Sequence, residues 1–385
     1  MIMYIYGRDI YGWYIDMKIQ NLNLKNFRNY NKLDISFNDK LNIIIGNNAQ
    51  GKTNILEAIY YLSITKPISI NNDKSIIMRD KDGTSISTVV VDKDSSNKLT
   101  VNVTSNGKKL LINSNEIKKH SDFIGKLKVI LFTPDSLGII KEGPGNRRRF
   151  LNIEISQLYV RYINILNEFN VILKQRNEYL KIIREGNYNK EYMNILNEKF
   201  ISLSIDIYKY RKKFIDLLNR YIGSIFKDIS SYEGLSLRYI TNIDLSDMNN
   251  IEKVLMEKID AGFNREVIYG STLIGPHRDD FSFILEDNDL LLYGSQGQLK
   301  MAVLALKLAE IEVFKDICGE NPVILLDDLF SELDINKRNK VINYLNKDMQ
   351  TIITTTDLSN VDEEYINNSY IFEIENGAVI YKNYD

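Results

Sequence analysis

The chain has 385 residues, 44% hydrophobic and 26% charged, with a formal net charge of −2. That length exceeds what one hydrophobic core usually serves, so two lobes are expected, and the near-neutral balance leaves any contact with a polyanion to local basic patches. One cysteine, Cys318, and two histidines exclude an internal disulfide, leave little for a zinc site and fit a reducing cytoplasm, while no stretch approaches the ~20 apolar residues of a membrane span.

Residues 1–16, MIMYIYGRDIYGWYID, lack a basic n-region, and Arg8 and Asp9 interrupt their apolar character, so they make a poor signal peptide. They carry no motif and are read as an extension of open status, with a more natural start at Met17. From Lys18 to Leu111 the pattern is mostly β: Leu22 and Leu24, then Leu33, Ile35 and Phe37, alternate as half-buried strands do. Asn106-Gly107, between VNVTS and KKLLI, reads as a hairpin turn whose two central residues both tolerate positive φ. LNIII at 41–45 is instead a short unbroken apolar run, as expected of a strand buried on both faces.

That strand leads into GNNAQGKT at 46–53, which has the spacing G-x-x-x-x-G-K-T of a phosphate-binding loop, and then into a helix carrying Ile55, Ile59 and Leu62. Gly46 and Gly51 let the backbone curl, so that N–H groups along Asn47, Asn48, Ala49 and Gln50 face phosphate oxygens at a positive helix N-terminus. Lys52 is expected to neutralise the β- and γ-phosphates and the Thr53 hydroxyl to ligate Mg²⁺, with ATP as the nucleotide.

Around Arg149 the periodicity turns helical. Leu158, Tyr162, Phe169 and Leu173 recur at helical spacing, and Leu196, Phe200, Leu203, Ile207, Tyr210, Phe214, Leu217 and Tyr221 alternate steps of four and three. Two such helices form either an antiparallel hairpin or ordinary core helices of a bundle. Strands return after Gly234 (Leu235, Leu237, Tyr239; later Phe281, Phe283, Leu285). The last hundred residues alternate: a helix at 296–315, the strand VILLDD, another helix, and the strand TIITTT.

VILLDD at 323–328 ends a buried strand in two carboxylates, the pattern of a Walker B segment. Asp327 is placed to hold Mg²⁺ through its water shell, and Asp328 is the candidate for polarising the attacking water. Ser295, Gln296, Gly297 and Gln298 open the preceding helix. They are either a polar cap or a second anion site serving the γ-phosphate of a partner's ATP, in which case SELD at 331–334 lies along the same seam.

The order GxxxxGKT, helical insertion, SQGQ, VILLDD, SELD is similar to ABC-type ATPase heads, in particular the SMC-like DNA-repair ATPases. Through LKNFRNY (24–30), FTPDSLGIIKEGPGNRRRFLN (132–152), GPHRDDF (275–281) and YGSQGQLK (293–300), the chain resembles the RecF family from Met17 onward. The resemblance implies an α/β P-loop ATPase head in two parts, 17–150 and 266–385, with an inserted α-helical lobe at 151–265 containing a short antiparallel hairpin. It further implies a cytoplasmic, ATP-dependent homodimer on double-stranded and gapped DNA. Such a protein acts with RecO and RecR to help load RecA in gap repair, replication restart and the SOS response, hydrolysing ATP slowly.

Carried over by motif, Asn26 and Arg28 belong to an early loop that touches nucleotide. Arg147, Arg148 and Arg149 match the family's arginine cluster, suited to DNA phosphate, to contact between lobes, or to a solvated helix start. His277 and Arg278 match GPHRDD without a mechanism. Two departures stand out: Thr356 or Asp357 occupies the region where transporter-type heads place a γ-phosphate-sensing histidine, and the second Walker B acid is Asp328 where many heads carry Glu. The competing classes are a transporter-type nucleotide-binding subunit and an ATPase fused to a nuclease. SQGQ in place of LSGGQ and the long insertion oppose the first; the end of the chain offers no acidic cluster for the second.

Overall fold

The structure is a computed structural model and describes residues 16–68, 72–329, 333–345, 349–358, 366, 369–375 and 377–382. The extension 1–15 and, within SELD, Ser331 and Glu332 lie outside the described residues.

The central sheet runs in the order Val129–Phe132, Val323–Asp327, Thr351–Thr355, Leu41–Ile45, Ser369–Glu375, Ala378–Lys382, parallel throughout except for the last strand. Strands Val129–Phe132, Val323–Asp327 and Thr351–Thr355 are buried at every position, and Val129–Phe132 and residues 323–326 are apolar throughout, because each face packs on a different core. Val323 and Leu325 point to the core beneath helix Lys52–Ile64, whereas Ile324 and Leu326 point to the core around helix Gln296–Cys318. Alternation would leave one face polar against a helix, so a continuous run is the physical requirement.

A second, antiparallel sheet covers the other side of helix Lys52–Ile64, with Asn21–Phe27, Tyr30–Ser36, Gly83–Val91, Ser96–Thr104, Gly107–Ile112 and Asn115–Ile117. Leu22, Leu24, Leu33 and Ile35 are buried as their alternation predicts. The hairpin turn is displaced by one residue from the sequence expectation. Thr104 pairs with Gly107, so Ser105 and Asn106 form the link, and positive φ falls on Gly107 alone, at 139°.

Helices Pro144–Leu158, Val160–Arg184, Lys190–Ser230 and Ile251–Tyr269 fill the insertion. The long helix satisfies both alternatives left by its stripe. Its first half pairs with Val160–Arg184 as a hairpin, closed by the Asn189 side chain accepting from Tyr192 N at 3.0 Å. Its second half is a core helix: Phe214, Leu218, Ile222 and Phe226 join the cluster around Gln296–Cys318. Leu203, Tyr210 and Tyr221 are only half-buried, because the 3.6-residue helix drifts off a strict seven-residue repeat. Helix Ile251–Tyr269 and strands Val129–Phe132 and Ser369–Glu375 were not among the elements read from sequence. The two strands expected after Gly234 are Leu235–Ile240 and Asp280–Leu285, and they pair antiparallel.

Candidate functional site

The phosphate loop lies at the carboxyl edge of the parallel strands, where open α/β sheets gather ligands. Gly46 is required by packing, since a Cβ there would stand 2.6 Å from the Ile374 carbonyl oxygen on the neighbouring strand. Gly51, at φ 108°, would drive a Cβ to 2.5 Å from Asn29 Nδ2. Lys52 folds back across the loop, donating to the carbonyls of Gly46 at 2.6 Å and Asn47 at 3.0 Å. Burial lowers its pKa, while Asp328 and Asp327 pull it back up.

Thr53 Oγ1 donates to Asp327 Oδ1 at 3.0 Å, and Thr354 Oγ1 donates to the same oxygen at 2.7 Å. Burial raises the Asp327 pKa, partly offset by these two hydroxyls. One hydroxyl and one carboxylate are the small protein share that Mg²⁺ takes when phosphates and waters complete its shell. Among the described residues no group of three or more His, Cys, Asp and Glu could hold a metal by itself, which leaves this pair as the fitting donor set. Asp328 follows at φ 47°, and its N–H donates to Thr354 Oγ1 at 3.1 Å. Thr356 and Asp357 are exposed at the end of the adjacent strand.

The turn after Asn21–Phe27 braces the loop through Asn29 and Tyr30. Arg28 is committed to helix Lys52–Ile64: Nε and Nη2 donate to the two Glu57 oxygens at 2.9 and 2.7 Å, and Nη1 donates to Ser75 O at 2.7 Å. Asn26 reaches only Gly83 O, at 3.4 Å. Asn29 and Tyr30 are the residues that touch the loop, donating to Gln50 O and Gly51 O, both at 3.1 Å. The signal lay in the same LKNFRNY segment, in two polar side chains just past the arginine.

Ser295 caps helix Gln296–Cys318 in a capping box: Gln298 N donates to Ser295 Oγ at 3.2 Å, and Ser295 N donates to Gln298 Oε1 at 2.8 Å. Ser295, Gln296 and Gly297 are exposed. A Cβ on Gly297 would approach nothing closer than Ser295 Oγ at 3.9 Å, so nothing inside the chain demands glycine there.

The arginine cluster makes its hydrogen bonds within the chain. Arg147 is buried, chelating Asp280 at 2.6 and 2.8 Å and donating to the carbonyls of Ile139, Ile140 and Glu142. Arg148 donates to Asp279 O at 2.8 Å, and Arg149 to Pro67 O and Ile68 O at 3.0 and 2.8 Å. Of the roles left open by sequence, these bonds fill the one within the chain.

They also account for GPHRDD as a hub between helices and strand. Gly275, at φ 129°, lets the backbone pass Phe200, whose Cζ would be 2.6 Å from a Cβ. The Pro276 carbonyl accepts from buried Arg211 at 2.6 Å, and Asp279 accepts from Tyr239 OH at 2.6 Å. Arg278 and His277 both reach the Thr272 carbonyl, His277 through Nε2 at 3.0 Å. A carbonyl only accepts, so Nε2 carries the proton.

Burial pushes the His277 pKa down to about 4 and the Asp279 pKa up to about 6. Between pH 4 and 6.5 the unfolded chain protonates His277 and the folded one does not, so acid weakens the fold. Between pH 3.8 and 6 the folded chain keeps a proton on Asp279 that the unfolded one has lost, so acid strengthens it. The two nearly offset. His277→Gln removes only the first, so its stability in urea should gain about 2 kcal/mol relative to wild type between pH 6.5 and 4. Parallel pH curves for the two proteins would refute this account.

A family model described as RecF/RecN/SMC N terminal domain matches residues 18–378. A protein described as DNA replication and repair protein RecF from Clostridium botulinum (strain ATCC 19397 / Type A) is 41% identical over 367 residues, covering 94% of this chain and 99% of the relative. Its counterpart from Clostridium perfringens (strain 13 / Type A) is 40% identical over 366 residues, with the same coverage. A solved structure described as the recombination mediator protein RecF-ATP in the RecFOR pathway superposes with a TM-score of 0.89 at 31% identity, covering 96% of this chain and 99% of that one. The Smc head domain of Pyrococcus furiosus, bound to the C-terminal domain of ScpA, shares the fold at a TM-score of 0.54 and 16% identity, with 95% and 96% covered. With its phosphate loop, paired carboxylates and capped SQGQ helix in a head of this shape, the chain belongs to the RecF family of SMC-like ATPases.

Proposed function

We propose that this chain is an ATP-driven DNA-binding switch in recombinational repair. Residues 17–150 and 266–385 form the ATPase head and 151–265 its helical lobe. ATP with Mg²⁺ occupies the Lys52, Thr53 and Asp327 site. Two copies close on it with Ser295–Gln298 of each capping the other's γ-phosphate, and slow hydrolysis assisted by Asp328 reopens them. The closed form holds DNA at junctions of duplex and single strand, in the cytoplasm, and works with RecO and RecR to help load RecA. A related protein's structure is described as RecF-ATP in the RecFOR pathway, which supports the nucleotide and the pathway.

The observation that carries the reading is the exposed helix start at Ser295–Gln298, already capped, with a glycine that no neighbour in its own chain requires. A glycine in the first turn after the cap keeps its backbone N–H clear of side chain, open to an anion brought by a second copy. Sedimentation with and without ATP tests it. Wild type should shift from monomer to dimer, and Ser295→Arg should bind ATP normally but stay monomeric. Dimerisation of the variant at wild-type ATP concentrations would sink the composite site.

A further inference from the structure

Arg147, Arg148 and Arg149 bond within the chain, and a separate convergent set of cations stands on the helical lobe. We propose that Arg161, Lys209 and Lys213 form the contact surface for the sugar-phosphate backbone of DNA, an inference that rests on the DNA-binding reading above. The three side chains line an open cleft of about 350 Å³ together with Tyr210 and Asp206. Arg161 projects from the first turn of Val160–Arg184, and Lys209 and Lys213 stand one turn apart on Lys190–Ser230. All three are exposed, and none is in an ion pair among the described residues, whereas the adjacent Lys212 is paired with Asp216 at 2.8 Å.

The floor beneath them is rigid. Tyr210 packs against Tyr159 and Tyr162 with ring centroids 5.1 and 5.4 Å away, and Lys213 Nζ lies 5.3 Å from the Tyr159 centroid. Three cations against the single carboxylate of Asp206 leave the cleft positive on a chain whose net charge is −2. Four residues of helix place Lys209 and Lys213 ~6 Å apart along the axis, close to the step between successive phosphates of one strand. Cations at this spacing suit the phosphate backbone, which carries no sequence information directly.

The same helix continues to helix Gln296–Cys318, where Tyr221 OH donates to the Asp316 carboxylate. Arg211, between the two lysines, points the other way into the GPHRDD hub. The cleft is therefore tied to the head by a continuous helix.

The test uses the full chain with saturating ATP and a fluorescent duplex of arbitrary sequence, titrated across a salt series. Arg161→Gln, Lys209→Gln and Lys213→Gln combined should lower the slope of log affinity against log salt by about 2 to 3, at roughly 0.9 per lost phosphate contact. ATP affinity and melting temperature should be unchanged, and Lys174→Gln with Lys199→Gln, on exposed lysines outside the cleft, should leave the slope as in wild type. A wild-type slope in the triple variant overturns the surface while sparing the DNA reading. Absence of salt-dependent duplex binding in wild type overturns both. Preferential binding of polyglutamate, lost in the triple variant, would reassign the cleft to an acidic protein.

Discussion

Lys52→Ala should cut ATP affinity by roughly two to four orders of magnitude, the loss of two charge-assisted contacts worth about 1.5–3 kcal/mol each. Two effects act together. In the proposed site the ammonium meets the phosphates, and it bonds the Gly46 and Asn47 carbonyls, holding the loop curled. Removing it leaves those carbonyls facing a polyanion and places Asp327 and Asp328 near the phosphates without the charge that offsets them. Lys52→Arg keeps the charge but not the compact reach, and should recover only part of the affinity. Equilibrium binding of a fluorescent ATP analogue decides it: affinity within threefold of wild type for Lys52→Ala would remove the phosphate-loop assignment.

Asp328→Asn should act on the opposite side of the cycle. Asparagine tolerates the left-handed backbone at φ 47°, and the bonds from the residue 328 N–H to Thr354 are unaffected by the side chain. The Asp328 charge raises the Asp327 pKa, so its removal favours the ionised Asp327 that a metal needs. Nucleotide should therefore bind at least as well, while hydrolysis, deprived of the carboxylate that orients water, slows by about 100-fold or more. On the proposed cycle, in which hydrolysis reopens the closed dimer, that form should accumulate and DNA residence lengthen. Single-turnover hydrolysis at the wild-type rate, or a protein that stays monomeric with saturating ATP and DNA, would show that Asp328 has another role.

The phosphate loop is legible in sequence because its chemistry is local: glycine, lysine and threonine act within eight residues of one another, between a buried strand and a helix. Long-range partners are not. Arg147–Arg149 looks the same in sequence whether it meets solvent, nucleic acid or the aspartates that hold it from more than a hundred residues away. Val129–Phe132 is a four-residue apolar run whose periodicity cannot distinguish strand from buried helix. In helix Ile251–Tyr269 the buried apolar residues are only Ile251, Leu255 and Ile259, too few to raise a clear stripe. Asn29 and Tyr30 escaped notice because their role is to bond backbone carbonyls, which leaves no mark on the residues they brace.

The placement of Leu41–Ile45 between Thr351–Thr355 and Ser369–Glu375 also governs how the protein is made. On a ribosome the phosphate loop emerges early, yet its strand then has neither neighbour, Gly46 has no Ile374 to pack against, and Asp327 has not been translated. Sheet contacts this distant in the chain close late. A nascent or prematurely ended polypeptide thus presents an apolar strand with two open edges and no nucleotide site, a substrate for chaperones and proteases instead of a half-active clamp. A fragment that ends before Thr351 therefore leaves Leu41–Ile45 without either neighbour and Gly46 without the Ile374 carbonyl it packs against.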